Sequence, residues 1–459
     1  MNRIKNILTE SEPFQSLFRA LRGITTSQPI AVTGISGSLL AFTAAGIFES
    51  RGKQTVLLVP DKDRAEQLRD DCSILLGERS VHLYASAQAH RSVQLDISAP
   101  IAQVEALRAL SRKETILLIA SVEALTGKIP PQKDFSSRTI DISVQNEYPF
   151  EELLKRLDKL GFEKKDFVEE YGDYALRGGI IDIFPFIGEH PLRFEFWGNT
   201  VESIREFDAV SQRSIRELQS ASIVADIHAG QLRDETAETA EEHDTLQNPQ
   251  ASLFDYLQTD ALFIIEEPDF CRKEAEELSE EGINDLFGWD DIEKNMHHFS
   301  CIIHSQISVP VHDTVIKLNS SPQPPTAGSV KRLIEYIRTF GEKKYSVYLD
   351  CDSKDETARL SELIEEELTS PGDQSGVSID ESSGTERIDA HMPAYQFVTG
   401  GFHSGFVFHS AQIAVFTEHE IFGRLKRRGS SRRKKFKGIS QKELQQLRRG
   451  DFVVHQDYG

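Results

Sequence analysis

QPIAVTGISGSLLAFTAAGIFESRGKQTVLLVP, residues 28–60, decides the fold. Gln28 to Val32 is a short apolar strand, TGISGS a glycine-containing turn, and LLAFTAAGIF an apolar helix. Lys53 to Pro60 gives a second strand whose apolar run is unbroken. Unbroken runs, in place of alternation, mark parallel strands covered on both faces. Downstream, Asp61 opens the helix DRAEQLRDDCSILL, and Thr115 to Ala120 is a third strand ending in Ser121, the expected N-cap of SVEALTG. This β-α-β-α-β order specifies an α/β parallel sheet.

The turn after the first strand lies where a phosphate-binding loop would sit. A working loop reads G-x-x-x-x-G-K-[ST]: backbone N–H groups cradle phosphates, the lysine reaches the terminal ones and the hydroxyl holds magnesium. In the matching register this chain has Val32, Gly37, Ser38 and Leu39, so the first glycine, the lysine and the hydroxyl are missing. Ala261 to Glu267, ALFIIEE, has the form of a Walker B strand. Glu266 and Glu267 would nonetheless have neither phosphates nor metal to serve. The expectation is a degenerate P-loop (helicase-like) sheet that keeps its fold and does not bind nucleotide.

At 459 residues the chain has room for about three or four domains. No apolar run approaches the roughly 18 residues that span a bilayer, and the start MNRIKNILTESEPF lacks a secretory stretch, so a cytoplasmic protein with no membrane contact is expected. Cys72, Cys271, Cys301 and Cys351 are far apart and suit buried free thiols in a reducing compartment. His297 and His298 have no partners at zinc spacing, and no metal site is expected. The formal charge of -21 opposes phosphate binding over the surface as a whole. Against that background RLKRRGSSRRKKFKG (424–438) opens a basic run to Arg449. It reads as a flexible linker with at most weak DNA contact through 424–437.

From about Ser137 the pattern changes to a strand, an amphipathic helix (Phe150, Leu153, Leu154, Leu157, Leu160) and then antiparallel strands, an α+β insertion. Its centre is RGGIIDIFPFIGEHPLRFEFWGNTVESIREF, residues 177–207. Arg193, Glu195 and Trp197 fall on one face of a strand and Leu192, Phe194 and Phe196 on the other, while by parity Arg177 goes with Ile181 and Ile183. Arg and Trp dominate interface hot spots, and a guanidinium pairs bidentately with a carboxylate as Lys does not. The same charges would also suit cross-strand surface ion pairs, worth about 0–1 kcal/mol. Beyond the insertion and the returning sheet, residues 325–423 read as a small α/β domain with no catalytic constellation. Within it Ser370 to Gly384 is a surface loop, and, upstream, Asp234 to Asp244 is an exposed acidic one.

YGDYALRGGIIDIFPF and PLRFEFWGNTVESIREFDAVSQRS resemble the module shared by the excision repair protein UvrB and the bacterial transcription-repair coupling factors (Mfd). TGISGS, PDKDRAEQL and AQIAVFTEHEIFGRLKRR are similar to the frame around that module in the coupling factors, and LRRGDFVVHQDYG resembles the opening of their RNA polymerase-interacting domain. The resemblance implies a division into 1–135 and 223–320 (the split UvrB-like sheet), 136–222 (a UvrA-binding insertion), 325–423, a linker at 424–449, and the start of the polymerase-interacting domain at 450–459. It implies UvrA as partner, met by Arg177, Arg193, Glu195 and Trp197, together with Phe196, which has the core parity, and Arg205. Substituting Arg177 or Arg193 is expected to weaken that binding and leave stability little changed. In the family two ATP-driven motor domains follow; their motifs do not occur here, so the chain is expected to be a truncated copy that needs no cofactor, ATP and magnesium belonging to the motors. The expected role is a non-catalytic adaptor that brings UvrA to stalled RNA polymerase. The alternatives are a UvrB-like, ATP-dependent damage-recognition protein and a structural domain without a partner.

Overall fold

The computed structural model describes residues 2–86, 98–225, 251–280, 286–306, 314–369 and 395–424. They fall into two compact units, one of residues up to 136 together with those from 251 to 424, the other of residues 137–225.

The first unit is built on a seven-stranded sheet in the order Thr314–Lys317, Ile30–Thr33, Ser300–His304, Leu262–Glu266, Thr55–Val59, Leu117–Ser121, Val81–Tyr84, with every neighbouring pair parallel. The unbroken apolar runs lie at its centre: TVLLV, LLIAS and LFIIE are buried at every position. Ile30–Thr33 pairs only with strands that follow residue 225, so the first strand has no sheet partner until the chain returns. Asp61 and Ser121 cap their helices as the sequence indicates, accepting from Arg64 N–H (2.8 Å) and Ala124 N–H (3.4 Å). Val81–Tyr84 is an edge strand that the sequence pattern does not reveal, being four residues long and half polar on its faces.

Helix Leu39–Arg51 has no polar stripe as far as Phe48 and is covered all round over that length. One side lies on the parallel sheet; the rest is sealed by Phe14 and Leu17 of the N-terminal helix Glu12–Leu21 and by Phe402, Phe406 and Phe408, all in one continuous core. Phe406 and Phe408 belong to a second sheet in the same unit, ordered Ser320–Pro322, Phe406–Phe408, Ile413–Thr417, Ser346–Cys351, Tyr395–Thr399, and Phe402 to the loop just ahead of its strand Phe406–Phe408. Its first strand begins at Ser320, ahead of the boundary at 325 expected for the small α/β region, and its opposite face packs on helices Val330–Glu342 and Lys354–Thr369.

In the second unit the entering strand Thr139–Ser143 and the leaving strand Ser220–Val224 pair antiparallel, which lets the insertion depart and return at one place. Between them lies a six-stranded sheet ordered Ser214–Leu218, Thr200–Phe207, Leu192–Trp197, Ile180–Ile183, Asp173–Arg177, Glu163–Lys164. Helix Phe150–Lys159 presents Leu153 and Leu157 to one face of it, where Ile181, Ile183, Leu192, Phe194 and Ile204 complete the core. The other face carries the polar chemistry.

No helix among the described residues is long and apolar enough to cross a membrane.

Candidate functional site

A two-residue turn sets the outward face. Gly178 and Gly179 connect Asp173–Arg177 to Ile180–Ile183 with Arg177 directly opposite Ile180, and Ile180 opposite Glu195. Counting across such a turn reverses parity, so Arg177 stands on the face opposite Ile181 and Ile183, a correction to simple alternation. The glycines are required: Gly178 has φ +62°, and a Cβ on Gly179 would lie 2.7 Å from the Phe196 carbonyl oxygen. The register places Asp182 between Ala175 and Arg193, and Arg193 beside Arg205.

Arg177, Arg193, Glu195, Trp197 and Arg205 therefore share one face. Phe196 does not. It is 8% exposed, packs edge-on against Phe150 with centroids 5.2 Å apart, and belongs to the core, as its alternation demands and its place among the expected contact residues does not.

Most of these charges are already paired within the chain. Arg193 donates through Nε and Nη2 to the two carboxylate oxygens of Asp182 at 2.6 and 2.8 Å, and its guanidinium lies 4.4 Å from the centroid of Phe207. The hydrogen bond to Asp182 holds the Arg193 pKa above even its usual high range. Arg205 pairs with Glu195, which also accepts from Ser203 Oγ at 2.6 Å. The Ser203 hydroxyl, followed by Arg205, keeps the Glu195 carboxyl below the usual carboxylate range. Asp182 is the residue that sequence reasoning missed. A single acid in IIDIF looks like an outward polar side chain, yet it is only 1% exposed and lies 2.6 Å from Arg193 and 3.8 Å from Arg177.

Two side chains at one end of the face reach outward. Trp197 is 78% exposed at the Gly198–Asn199 turn, and the side chain of Arg177 is 43% exposed with its guanidinium 4.6 Å from the Phe167 ring centroid. Large exposed apolar side chains concentrate in this unit, as Phe167, Trp197, Val210 and Ile215; Phe270 and Val315 are the others among the described residues.

The loop that begins Gly34-Ile35-Ser36-Gly37 has a different occupancy. Val32, Ser38 and Leu39 are buried, and Ser38 Oγ donates to the Asp71 carboxylate at 2.6 Å. Gly37 has φ +57°, and a Cβ there would lie 2.4 Å from the Gly405 carbonyl oxygen. The two acids closing LFIIEE have protein partners: Arg64 grips Glu266 through Nε (3.0 and 3.1 Å) and Nη2 (2.7 Å), while Glu267 accepts from Ser305 Oγ (2.8 Å) and Gln306 N–H (2.7 Å). The basic run beyond Arg424 and the stretch 450–459 lie outside the described residues, as do the segments 234–244 and 370–384.

The insertion that carries this face matches a known class of module: residues 140–228 match the family described as UvrB interaction domain. That span takes in the six-stranded sheet, the leaving strand and all but the first residue of the entering strand. The whole chain is in turn similar to transcription-repair-coupling factors. It is 24% identical to that of Bacillus subtilis over an alignment of 528 positions, gaps included, covering 100% of this chain and 44% of the relative. It is 23% identical to that of Staphylococcus epidermidis (99% and 43% covered) and 23% identical to that of Myxococcus xanthus (97% and 43%). The resemblance read from YGDYALRGGIIDIFPF and its frame is thus borne out, both for the insertion and along the chain. The chain spans less than half the length of these relatives.

Proposed function

We propose that this chain recruits UvrA as a non-catalytic adaptor, as the UvrB-like portion of a transcription-repair coupling factor. The observation that carries the reading is the exposed pair Arg177 and Trp197 on the outward face of a sheet within the UvrB interaction domain match. Trp and Arg are among the side chains that most often dominate binding energy at protein interfaces. Arg193 and Arg205, fixed by Asp182 and Glu195, hold the adjoining surface in one conformation, so that little entropy is lost on docking. In the longer protein, RNA polymerase would be engaged through the sequence that opens at 450–459, and the run 424–437 would add at most weak, salt-sensitive DNA contact.

The competing reading, an ATP-dependent damage-recognition protein, needs a phosphate cradle and a metal-binding acid. What weighs against it is that Ser38 stands at the lysine position and bonds to Asp71, while Glu266 is held by Arg64. Co-elution of the chain with UvrA on size exclusion tests the proposal. The complex is expected with the wild type and lost with Arg177→Ala and Trp197→Ala combined; a complex equally stable in both excludes this face.

A further inference from the structure

Five consecutive backbone N–H groups, from Gly401 to Gly405, each find a side-chain oxygen. Gly401 and Phe402 donate to Asp350 Oδ1 (3.2 Å) and Oδ2 (2.7 Å), His403 to Asp71 Oδ1 (3.0 Å), Ser404 to Ser38 Oγ (3.0 Å) and Gly405 to Glu420 Oε2 (2.7 Å). A run of such N–H groups is the usual receptor for an anion. Here the acceptors, three carboxylates and one hydroxyl, belong to the protein, and they divide by origin. Asp350 and Glu420 come from the five-stranded-sheet region that carries the loop, and they shape it. Ser38 and Asp71 come from the parallel-sheet region, and they receive it.

The receiving side is the turn that would cradle phosphate in a nucleotide-binding relative of this fold. Ser38 N–H donates back to the Ser404 carbonyl (3.2 Å), and Gly37 has no room for a Cβ because Gly405 occupies the space. The His403 ring closes the contact: Nδ1 lies 2.9 Å from Asp71 Oδ1 and must carry a proton to bond there, while the His403 carbonyl accepts from His419 Nε2 at 2.9 Å. Beneath the loop, Phe402 is fully buried with its ring 5.0 Å from that of Phe42.

We propose that the degenerate phosphate loop has become a docking socket, and that the glycine-rich loop 401–405 is its permanent occupant, fixing the second sheet and shutting out nucleotide phosphate. The hydroxyl of Ser38, at the position of the missing lysine, serves the occupant directly. Lysine there would bring a long cationic chain into the space that Ser404 fills. The inference is independent of UvrA binding.

Hydrogen exchange of the whole chain, resolved to the amides of 399–408, tests it. Asp71→Asn and Ser38→Ala, neither of which adds bulk, are expected to speed exchange of the His403 and Ser404 amides about tenfold or more. Amides of 173–218 should keep their wild-type rates. Gly37→Ala, which drives a methyl into Gly405, should loosen the same amides further. Loop exchange unchanged in both Asp71→Asn and Ser38→Ala would overturn the proposal. So would titration of the wild type with magnesium ATP giving a Kd below about 1 mM together with altered exchange at 401–405, because the socket would then be open.

Discussion

Replacing Arg193 by alanine separates stability from binding on the outward face. Its guanidinium covers both carboxylate oxygens of Asp182, whose side chain is only 2% exposed, and is itself 17% exposed. Truncation leaves a buried carboxylate with Arg177, 3.8 Å away and partly exposed, as its nearest cationic neighbour among the described residues. Stranding one member of a buried, bidentate pair costs about 2–4 kcal/mol, the lower figure applying if Arg177 swings in to compensate. For a unit of this size that corresponds to a fall in Tm on the order of 10 °C. The contacts therefore predict a loss of stability for Arg193→Ala, against the sequence-based expectation of little change, and almost none for Arg177→Ala, whose exposed contact is worth about 0–1 kcal/mol. Calorimetric melting of wild type, Arg193→Ala, and Arg193→Met combined with Asp182→Leu makes the test. The double replacement removes both charges and should recover to within about 1 kcal/mol of wild type. A melting temperature for Arg193→Ala within about 1 °C of wild type would refute the reasoning.

Other consequences follow from the same contacts. Arg64→Ala should destabilise the first unit by about 2–3 kcal/mol in urea melts by exposing the Glu266 carboxylate to an unpaired site, and Arg64→Lys should restore only part, since an ammonium does not reproduce the fork. Burial pushes the Cys301 thiol up to about 12 and the Cys351 thiol up to about 11, and raises Cys72 and Cys271 as well. Maleimide labelling at pH 8 should accordingly be slow in the native chain and reach all four cysteines in urea. The folded Glu195 carboxyl titrates below its unfolded value of about 4.3. Its contribution is therefore complete above that pH and lost as pH falls through the lower folded value, so the stability gap between wild type and Glu195→Gln should close on the acid limb.

The parallel sheet was legible because burial on both faces leaves a run rather than an alternation: TVLLV and LFIIE are buried throughout, with their polar residues, Thr55 and Glu266, only at an end. The insertion was legible through alternation in LRFEFW, where burial follows the pattern residue by residue apart from the exposed tip at Trp197. What stayed hidden was long-range pairing. Nothing in IIDIF distinguishes a solvated acid from one buried beneath two arginines, and the turn at Gly178-Gly179 inverted the face assigned to Arg177. The socket was hidden for a further reason: its donors are backbone N–H groups, which every residue has, and its acceptors Ser38, Asp71, Asp350 and Glu420 lie far apart in the chain. The turn TGISGS announced what it lacked and gave no sign of what would fill it.

The central claim meets its most direct test in calorimetric titration of UvrA into this chain, wild type against Arg177→Ala and Trp197→Ala, with folding of each variant verified by its melting temperature. Each substitution is expected to cost about 1–4 kcal/mol of binding while leaving the melt nearly unchanged. Undiminished affinity in both folded variants, or no binding by the wild type, would contradict it.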